Sequence, residues 1–230
     1  MADYREQRAG LVSYLRASGI VRSDRVERAF LTVPREEFVP PELRSQSYVD
    51  TPLPLMHTGQ TISAPSMVAY MVEALELEAH HKVLEVGAGS GYAAAIMAEA
   101  MCGRDDSRPQ HKVLAIEIDR NLVEYARDNL RRCGYSDRVE VVLGDGSLGF
   151  PERAPFDRIM VSAAAPDVPR PLLDQLAKNG RMVIPVGGVT WAQELYLVRK
   201  DESGQIREDY MMDVVFVPLK TGSGLPSYEP

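Results

Sequence analysis

Three glycines at alternate positions, Gly87, Gly89 and Gly91, form the part of the sequence best suited to binding a cofactor. They follow an apolar run at 83–86, which predicts a buried strand, and they precede a helix of small residues predicted at 92–102. Glycine lets the backbone turn sharply and lets a ligand approach without meeting a Cβ atom. The pattern therefore indicates a site for an adenosine-containing cofactor, without indicating which one.

The third glycine and the two strand ends that follow it narrow the choice of cofactor. Nicotinamide and flavin sites usually place that glycine one position later, where this chain has Tyr92. Glu117 ends the second predicted strand and could hold the hydroxyls of a ribose; alternatively it is a charge at the start of the next helix, which Asp119 can cap. Asp145 lies between two glycines after the third strand, where it could accept a hydrogen bond from an adenine amino group or form a surface turn. Three such strand ends in this order resemble the S-adenosylmethionine (SAM) methyltransferases.

The elements that must position these residues follow from the hydrophobic periodicity. In the first third of the chain, helices are predicted at 3–18, 24–33 and 67–77, with a long ordered loop at 34–65. Strands are then predicted at 83–86, 113–118, 139–143, 157–162 and 181–186, and the helices between them at 92–102, 120–132 and 169–178. Two further strands, at 193–199 and 212–219, are predicted to form an antiparallel ribbon at the sheet edge.

This alternation predicts an α/β fold: a doubly wound, mainly parallel, Rossmann-like SAM-methyltransferase sheet with N-terminal helices and a C-terminal antiparallel ribbon. A chain of 230 residues suits a single domain. We expect N-terminal helices and a substrate loop at 1–80, a cofactor-binding core at 81–190, the ribbon at 191–220 and a frayed tail at 221–230.

Composition and charge exclude several classes of function. No apolar run approaches the roughly 20 residues of a membrane span, and the N-terminus lacks the apolar core of a signal peptide, so we expect a cytoplasmic protein without membrane contact. A net charge of −7 disfavours nucleic acid as a partner, because phosphate binding depends on clustered lysine and arginine. Cys102 and Cys133 lack metal-ligand spacing, and the four histidines are expected to be solvated, so no metal site is expected.

The long loop contains Gln60-Thr61-Ile62-Ser63-Ala64-Pro65, and a helix follows it. With this element, the chain closely resembles the protein-L-isoaspartate O-methyltransferases from about residue 10 to residue 220. The sequence differs from the family in two places, the longer polar segment 103–111 and the C-terminal tail. The other segments that resemble the family are 33–39, 48–50, 52–54, 154–157, 163–166, 181–187 and 215–219.

The resemblance implies a carboxyl O-methyltransferase that uses SAM to methylate isoaspartyl residues of damaged proteins and peptides, initiating repair through a succinimide. The nucleophile would be the α-carboxylate of the substrate, which has a pKa near ~3.5–4 and needs no general base at neutral pH. The loop 59–65 accordingly contains no His, Asp or Glu. Thr61 or Ser63 could orient that carboxylate; alternatively, or in addition, Ser63 caps the helix that starts at Pro65.

The resemblance also implies the residues of the site, and we expect a monomer. Ser63 is the position expected to be catalytic. The residues expected to bind the cofactor are Gln60, Thr61, Ile62, Ser63, Glu85, Gly87, Ala88, Gly89, Glu117, Ile118, Gly144, Asp145 and Gly146. Those expected to bind the substrate are Thr61, Ser63, Ala64, Val215, Val217, Pro218 and Leu219. Two alternatives stay open: a SAM methyltransferase of the same fold with another acceptor, such as a peptide natural product or RNA, and a non-catalytic module that binds SAM or damaged proteins.

Overall fold

The computed structural model describes residues 3–56, 58–102, 111–188 and 192–222. The predictions for His57, for most of the segment 103–111 and for the tail beyond Gly222 therefore lie outside the described residues. No helix in the described ranges has the length and apolar character needed to cross a membrane.

The predicted N-terminal helices are present, and polar side chains cap the first two. Helix α1 spans Tyr4–Ala17 and α2 spans Asp24–Thr32. Asp3 accepts hydrogen bonds from the first turn of α1, and Ser23 accepts one from the Val26 amide of α2, which satisfies amides that lack a partner within the helix. Helix α3 spans Pro65–Leu75, so it starts and ends two residues earlier than predicted.

The proline-rich loop between α2 and α3 is ordered, as predicted, but it also contains secondary structure that the sequence did not predict. Short 3-10 helices span Arg35–Glu37 and Pro41–Gln46. Strands β1 (Leu53–Leu55) and β2 (Gln60–Ile62) then pair as an antiparallel hairpin. Strands of three residues are too short for a period of two to be recognised in a sequence.

A seven-stranded sheet forms the centre of the molecule, in the order β5-β4-β3-β6-β7-β8-β9. The first five strands in this order are parallel to their neighbours, and β8 and β9 are antiparallel. The strands are β3 (Val83–Val86), β4 (Val113–Glu117), β5 (Val139–Leu143), β6 (Phe156–Val161), β7 (Leu176–Val186), β8 (Gln193–Lys200) and β9 (Ile206–Val214). The helices that follow α3 are α4 (Tyr92–Met101), α5 (Arg120–Arg132) and α6 (Arg170–Gln175).

Both faces of the sheet are buried, which confirms the doubly wound α/β architecture. Val83 and Ala115 belong to the core that includes the buried residues of α1 to α5. Their neighbours Leu84 and Ile116 belong to a second core on the other face, together with Leu172 of α6. Side chains of a strand alternate between faces, so apolar residues at consecutive positions are needed where both faces are covered.

Sheet pairing explains the largest errors in the predicted boundaries, which are the end of α6, the start of β7 (Leu176 instead of residue 181) and the last strand. Helix α6 was predicted to reach residue 178, but it ends at Gln175 because Leu176 is buried and pairs with Phe156 of β6. The last strand was predicted at 212–219, but β9 pairs with β8 from Ile206 to Val214. As an edge strand, β9 is largely exposed and carries charged residues. It therefore lacks the apolar alternation by which a strand is predicted from sequence.

The topology creates a crevice at one end of the sheet. The chain leaves β3 towards β4 and β5 on one side, and it returns on the other side of β3 as β6. Ligands of open α/β sheets bind at such a switch point, outside the carboxyl ends of the strands.

Candidate active site

A cleft that is partly open to solvent lies at this switch point. Most of the residues predicted for the site line it: Gln60, Thr61, Ile62, Ser63, Glu85, Gly87, Ala88, Gly89, Glu117, Ile118, Gly146, Val217, Pro218 and Leu219. Ala64, Gly144, Asp145 and Val215 are not among the lining residues. The cleft is thus formed jointly by the loop before α3, the carboxyl ends of β3, β4 and β6, and the chain after β9.

The glycine loop turns tightly because its glycines adopt positive φ angles. The φ of Gly91 is +82°, and a Cβ atom there would lie 3.2 Å from the Leu130 side chain of α5. The amides of Gly87 and Ala88 both donate to the Ile116 carbonyl, at 2.8 and 3.1 Å, which holds the loop against the end of β4. The turn therefore brings the start of α4 close to its neighbouring helix and fixes the loop at the floor of the cleft.

Glu117 at the end of β4 is buried and accepts three backbone hydrogen bonds. One oxygen accepts from the Ile118 and Asp119 amides, at 2.8 and 3.0 Å, and the other accepts from the Gly89 amide at 2.9 Å. Burial raises the pKa of the Glu117 carboxyl, although these amides lower it. Asp119 caps α5 by accepting from the Asn121 amide, so Glu117 is not the cap of that helix. Glu117 instead ties the strand end to the glycine loop.

Glu85, in the middle of β3, is the other carboxyl group of the cleft, and it is 1% exposed. Burial raises its pKa well above the usual range, and the Glu117 carboxylate raises it further. Within the described ranges, the Oε2 atom of Glu85 has no hydrogen-bond partner. A buried acceptor without a donor is costly, so this oxygen is suited to a ligand that donates.

Asp145 follows β5, and the structure gives it a local backbone role. Its Oδ1 atom accepts from the amide and hydroxyl of Ser147, at 2.9 and 2.6 Å, which caps the short 3-10 helix that begins at Gly146. Its Oδ2 atom accepts from the Gly222 amide at 2.9 Å, which holds the C-terminal segment beside the strand end. A Cβ atom on Gly146 would lie 2.4 Å from Cγ1 of Val86, so glycine is required for this close approach.

The loop before α3 presents Ser63 to the cleft without using it as a cap. The N-cap position of α3 is Ala64, and no side chain at this position makes a capping hydrogen bond. The hypothesis that Ser63 caps the helix is therefore wrong. The Ser66 amide in the first turn donates to Asp50 Oδ1 at 2.9 Å, so a carboxylate distant in sequence takes the role expected of Ser63.

The segment 215–219 leaves the sheet and forms one rim of the cleft. The Ala164 amide donates to the Val217 carbonyl and the Leu219 amide donates to the Ala164 carbonyl, both at 2.8 Å. The Phe216 amide donates to the side chain of Gln193, which is 2% exposed. Val215 is 85% exposed. The segment is therefore anchored on one side, and its start faces solvent.

The sequence analysis missed several lining residues. Ser162 and Ala163 follow β6 directly, and the rule that identified the other strand ends could have found them. The sequence analysis did not assign the remaining ones to the site; they come from α3 and α4, from β3, β4 and β6, from the glycine loop and from the position after the segment 215–219. These are Val68, Met71, Val86, Ser90, Tyr92, Ala93, Ile116, Met160 and Lys220.

The described ranges contain no group of three or more His, Cys, Asp or Glu side chains that could hold a metal ion. His81, predicted to be solvated, is 5% exposed and accepts a hydrogen bond from the Glu78 amide through Nδ1, at 2.9 Å. Burial lowers the pKa of His81 to about 4, so it is neutral at physiological pH.

The mixed seven-stranded sheet, the glycine loop at its switch point and the carboxylate that ends β4 together define the fold of the SAM-dependent methyltransferases. A family model described as protein-L-isoaspartate(D-aspartate) O-methyltransferase matches residues 6–224. The chain belongs to this family.

Individual relatives agree with this assignment. The chain is 53% identical over 227 residues to the protein-L-isoaspartate O-methyltransferase of Hyperthermus butylicus, covering 98% of this chain and 93% of the relative. It is 51% identical over 216 residues to that of Methanopyrus kandleri, covering 94% and 92%. A crystal structure of a Plasmodium falciparum protein described as the same enzyme, in complex with S-adenosyl-L-homocysteine, superposes with a TM-score of 0.80 at 30% identity, covering 94% of this chain and 99% of that one.

Proposed function

We propose that this chain transfers a methyl group from SAM to the free α-carboxylate of L-isoaspartyl residues in damaged proteins and peptides, and so initiates their repair through a succinimide. The observation that supports this most is that the glycine loop and the segment 60–63, which consists of β2 and Ser63, line one cleft. The donor and the acceptor of the methyl group can therefore meet at the carboxyl end of β3.

The residues of the cleft fit SAM. The free Oε2 atom of Glu85 suits a cationic donor such as the ammonium group of SAM. Glu117, held by three amides at the end of β4, would accept from a ribose hydroxyl with the one lone pair that these amides leave free. Gly146 lines the cleft and would lie against the adenine end of SAM, and Gly144 and Asp145, which lie outside the lining, would hold Gly146 in place.

When bound, SAM supplies an electrophilic methyl group on a sulfonium centre. The substrate carboxylate is already ionised at neutral pH, so the protein needs no general base. The hydroxyls of Thr61 and Ser63 would orient this carboxylate by hydrogen bonds, and the surrounding walls would exclude water. Alignment of this kind is worth roughly 7–11 kcal/mol in favourable cases.

The segment 215–219 and Ala64 would bind the rest of the substrate. Ala164 and Gln193 already bind backbone groups of Phe216, Val217 and Leu219. We therefore expect the substrate chain to contact the exposed backbone at Val215 and the carbonyl of Pro218, in a strand-like manner.

The experiment is methyl transfer from labelled SAM to two synthetic peptides that differ only in an isoaspartyl or an aspartyl residue. We expect base-labile label on the isoaspartyl peptide alone. Transfer to neither peptide, with SAM still bound, would leave the chain a non-catalytic binding module, and equal transfer to both would indicate another acceptor.

We further propose that the protein acts as a cytoplasmic monomer. Its two cysteines are unpaired, which fits a reducing compartment. Light scattering during size-exclusion chromatography should give a mass near 25.5 kDa, and a dimer mass would contradict this.

A further inference from the structure

Among the residues that the structure describes, Arg35 has the largest fully buried side chain, with 0% exposure, and it lies outside the lining of the cleft. It begins the short 3-10 helix Arg35–Glu37. Its Nη2 atom donates to the carbonyl of Ser63 at 2.8 Å, and its Nε atom donates to the carbonyl of Ser47 at 2.9 Å. One guanidinium thus connects two segments that are distant in sequence, and one of them contains the residue expected to be catalytic.

The same guanidinium also contacts the cofactor side of the cleft. Its central carbon lies 4.8 Å from the centre of the Tyr92 ring, within the range of a cation–π interaction. Tyr92 is the first residue of α4, directly after the glycine loop, and it lines the cleft. Arg35 is therefore in contact with both the acceptor loop and the start of the cofactor helix.

Burying this cation is costly, which argues against a role in packing alone. No salt bridge joins Arg35 to a carboxylate in the described ranges, where the neighbouring Glu36 pairs with Arg8 and accepts from Tyr48. The Nη1 atom of Arg35 is buried without a hydrogen-bond partner there. An apolar side chain of similar volume would fill this space at a lower desolvation cost.

We propose that Arg35 is a positioning residue for methyl transfer, which holds the Ser63 backbone in register with the glycine-loop helix. The inference rests on the proposed function. Because the two hydrogen bonds and the ring contact leave from one rigid plane, the distance between the Ser63 backbone and Tyr92 is fixed by the geometry of a guanidinium. Loss of that plane would misplace the bound carboxylate, and displacements of about 1 Å can cost roughly a hundredfold in rate.

The substitution Arg35→Lys removes the planar guanidinium and keeps the positive charge, so it tests whether the geometry of the guanidinium matters. An ammonium is a point donor, so it cannot reproduce the two hydrogen bonds from Nε and Nη2 and the contact with the Tyr92 ring together. Arg158→Lys provides the matched control, because Arg158 is also buried, at 9% exposure, and also donates to backbone carbonyls, including that of Leu75. Arg158 contacts the carboxyl end of α3, whereas Arg35 contacts Ser63, which precedes the amino end of the same helix.

The experiment compares the wild type, Arg35→Lys and Arg158→Lys in three assays: kinetics with the isoaspartyl peptide, S-adenosylhomocysteine binding by calorimetry, and amide hydrogen exchange. Assays are run where circular dichroism shows each variant to be folded. For Arg35→Lys we expect kcat to fall by about tenfold or more with the dissociation constant changed less than about threefold, and the amides of 60–64 to exchange faster. For Arg158→Lys we expect kcat and the exchange of 60–64 to stay as in the wild type.

Equal kcat losses in the two variants, or a loss of ligand affinity that matches the loss of kcat in Arg35→Lys, would show a merely structural role and overturn the inference. If Arg35→Lys does not fold, Arg35→Gln, which retains an amide donor, takes its place in the same comparison. An inactive wild type would instead overturn the proposed function, so the two failures are distinguishable.

Discussion

The two carboxyl groups of the cleft, Glu85 and Glu117, set its electrostatic character. Both are buried, and burial raises both pKa values, yet only Glu117 is compensated by three backbone amides. A cationic ligand beside Glu85 favours the ionised form of its carboxyl group. Binding of SAM is therefore expected to release a proton at a pH below the pKa that Glu85 has in the free protein.

Glu85→Gln tests this electrostatic role. The variant cannot ionise, so we expect SAM affinity to fall by roughly tenfold or more, the range for a hydrogen bond to a charged group, and proton release to diminish. Wild-type affinity should rise with pH until Glu85 is ionised in the free protein. Calorimetric titrations in buffers of different ionisation enthalpy measure both quantities. Glu99→Gln is the control, because Glu99 is also buried but pairs with Arg138. Unchanged proton release in Glu85→Gln would refute the electrostatic role of Glu85.

Ser63→Ala tests whether the Ser63 hydroxyl, which does not cap α3, orients the substrate carboxylate. We expect kcat for the isoaspartyl peptide to fall by about ten- to a hundredfold, the equivalent of one hydrogen bond to a charged group, while SAM affinity changes little. Ser66→Ala, two positions after the N-cap residue of α3, is the control. An unchanged rate in Ser63→Ala would assign the orientation of the carboxylate to other groups, such as the hydroxyl of Thr61.

At the scale of elements, the sequence predicted those features that depend on local pattern. The parallel strands carry apolar runs because both of their faces are covered, so most of these strands are visible in the sequence, and so is the carboxylate that ends β4, Glu117. The features that were missed depend on tertiary contacts. The hairpin of β1 and β2 is stabilised by burial of Leu53, Leu55 and Ile62, and the amino end of α3 is satisfied by Asp50.

The turn between α3 and β3 has a pH dependence that the sequence did not predict. The pKa of His81 is lowered from 6.5 to about 4, so between these values the unfolded state binds a proton that the folded state does not. The neutral, buried His81 therefore contributes its full stabilisation to the folded state above about pH 6.5, and this contribution is lost as the pH falls towards 4.

Denaturant unfolding of the wild type at several pH values should show this loss as a fall of about 1–2 kcal/mol in the free energy of unfolding, once solvent screening of the imidazole is allowed for. In His81→Asn, which keeps an acceptor for the Glu78 amide, the loss should be smaller. The exposed His111 provides the control substitution to asparagine. Equal pH dependence of the wild type and His81→Asn would contradict this assignment.

At the scale of the whole molecule, the N-terminal region is a wall of the cleft. Phe30 and Phe38 contact the Tyr92 ring edge-on, at centroid distances of 6.3 and 5.7 Å, and this cluster joins α2 and the loop after it to α4. The cleft thus lies between the N-terminal region, where we propose that the acceptor binds, and the carboxyl ends of the strands, where we propose that SAM binds. The sequence predicted both regions, but only the fold shows that one arginine lies between them.

The most direct measurement compares two isoaspartyl peptides that differ only at the acceptor: one has the free α-carboxylate, and the other has an α-carboxamide in its place. If the loop 60–63 presents an ionised carboxylate to SAM, labelled methyl transfer will occur to the first peptide and not to the second. Equal transfer to both peptides would contradict the proposed function, because the carboxamide lacks the anionic nucleophile.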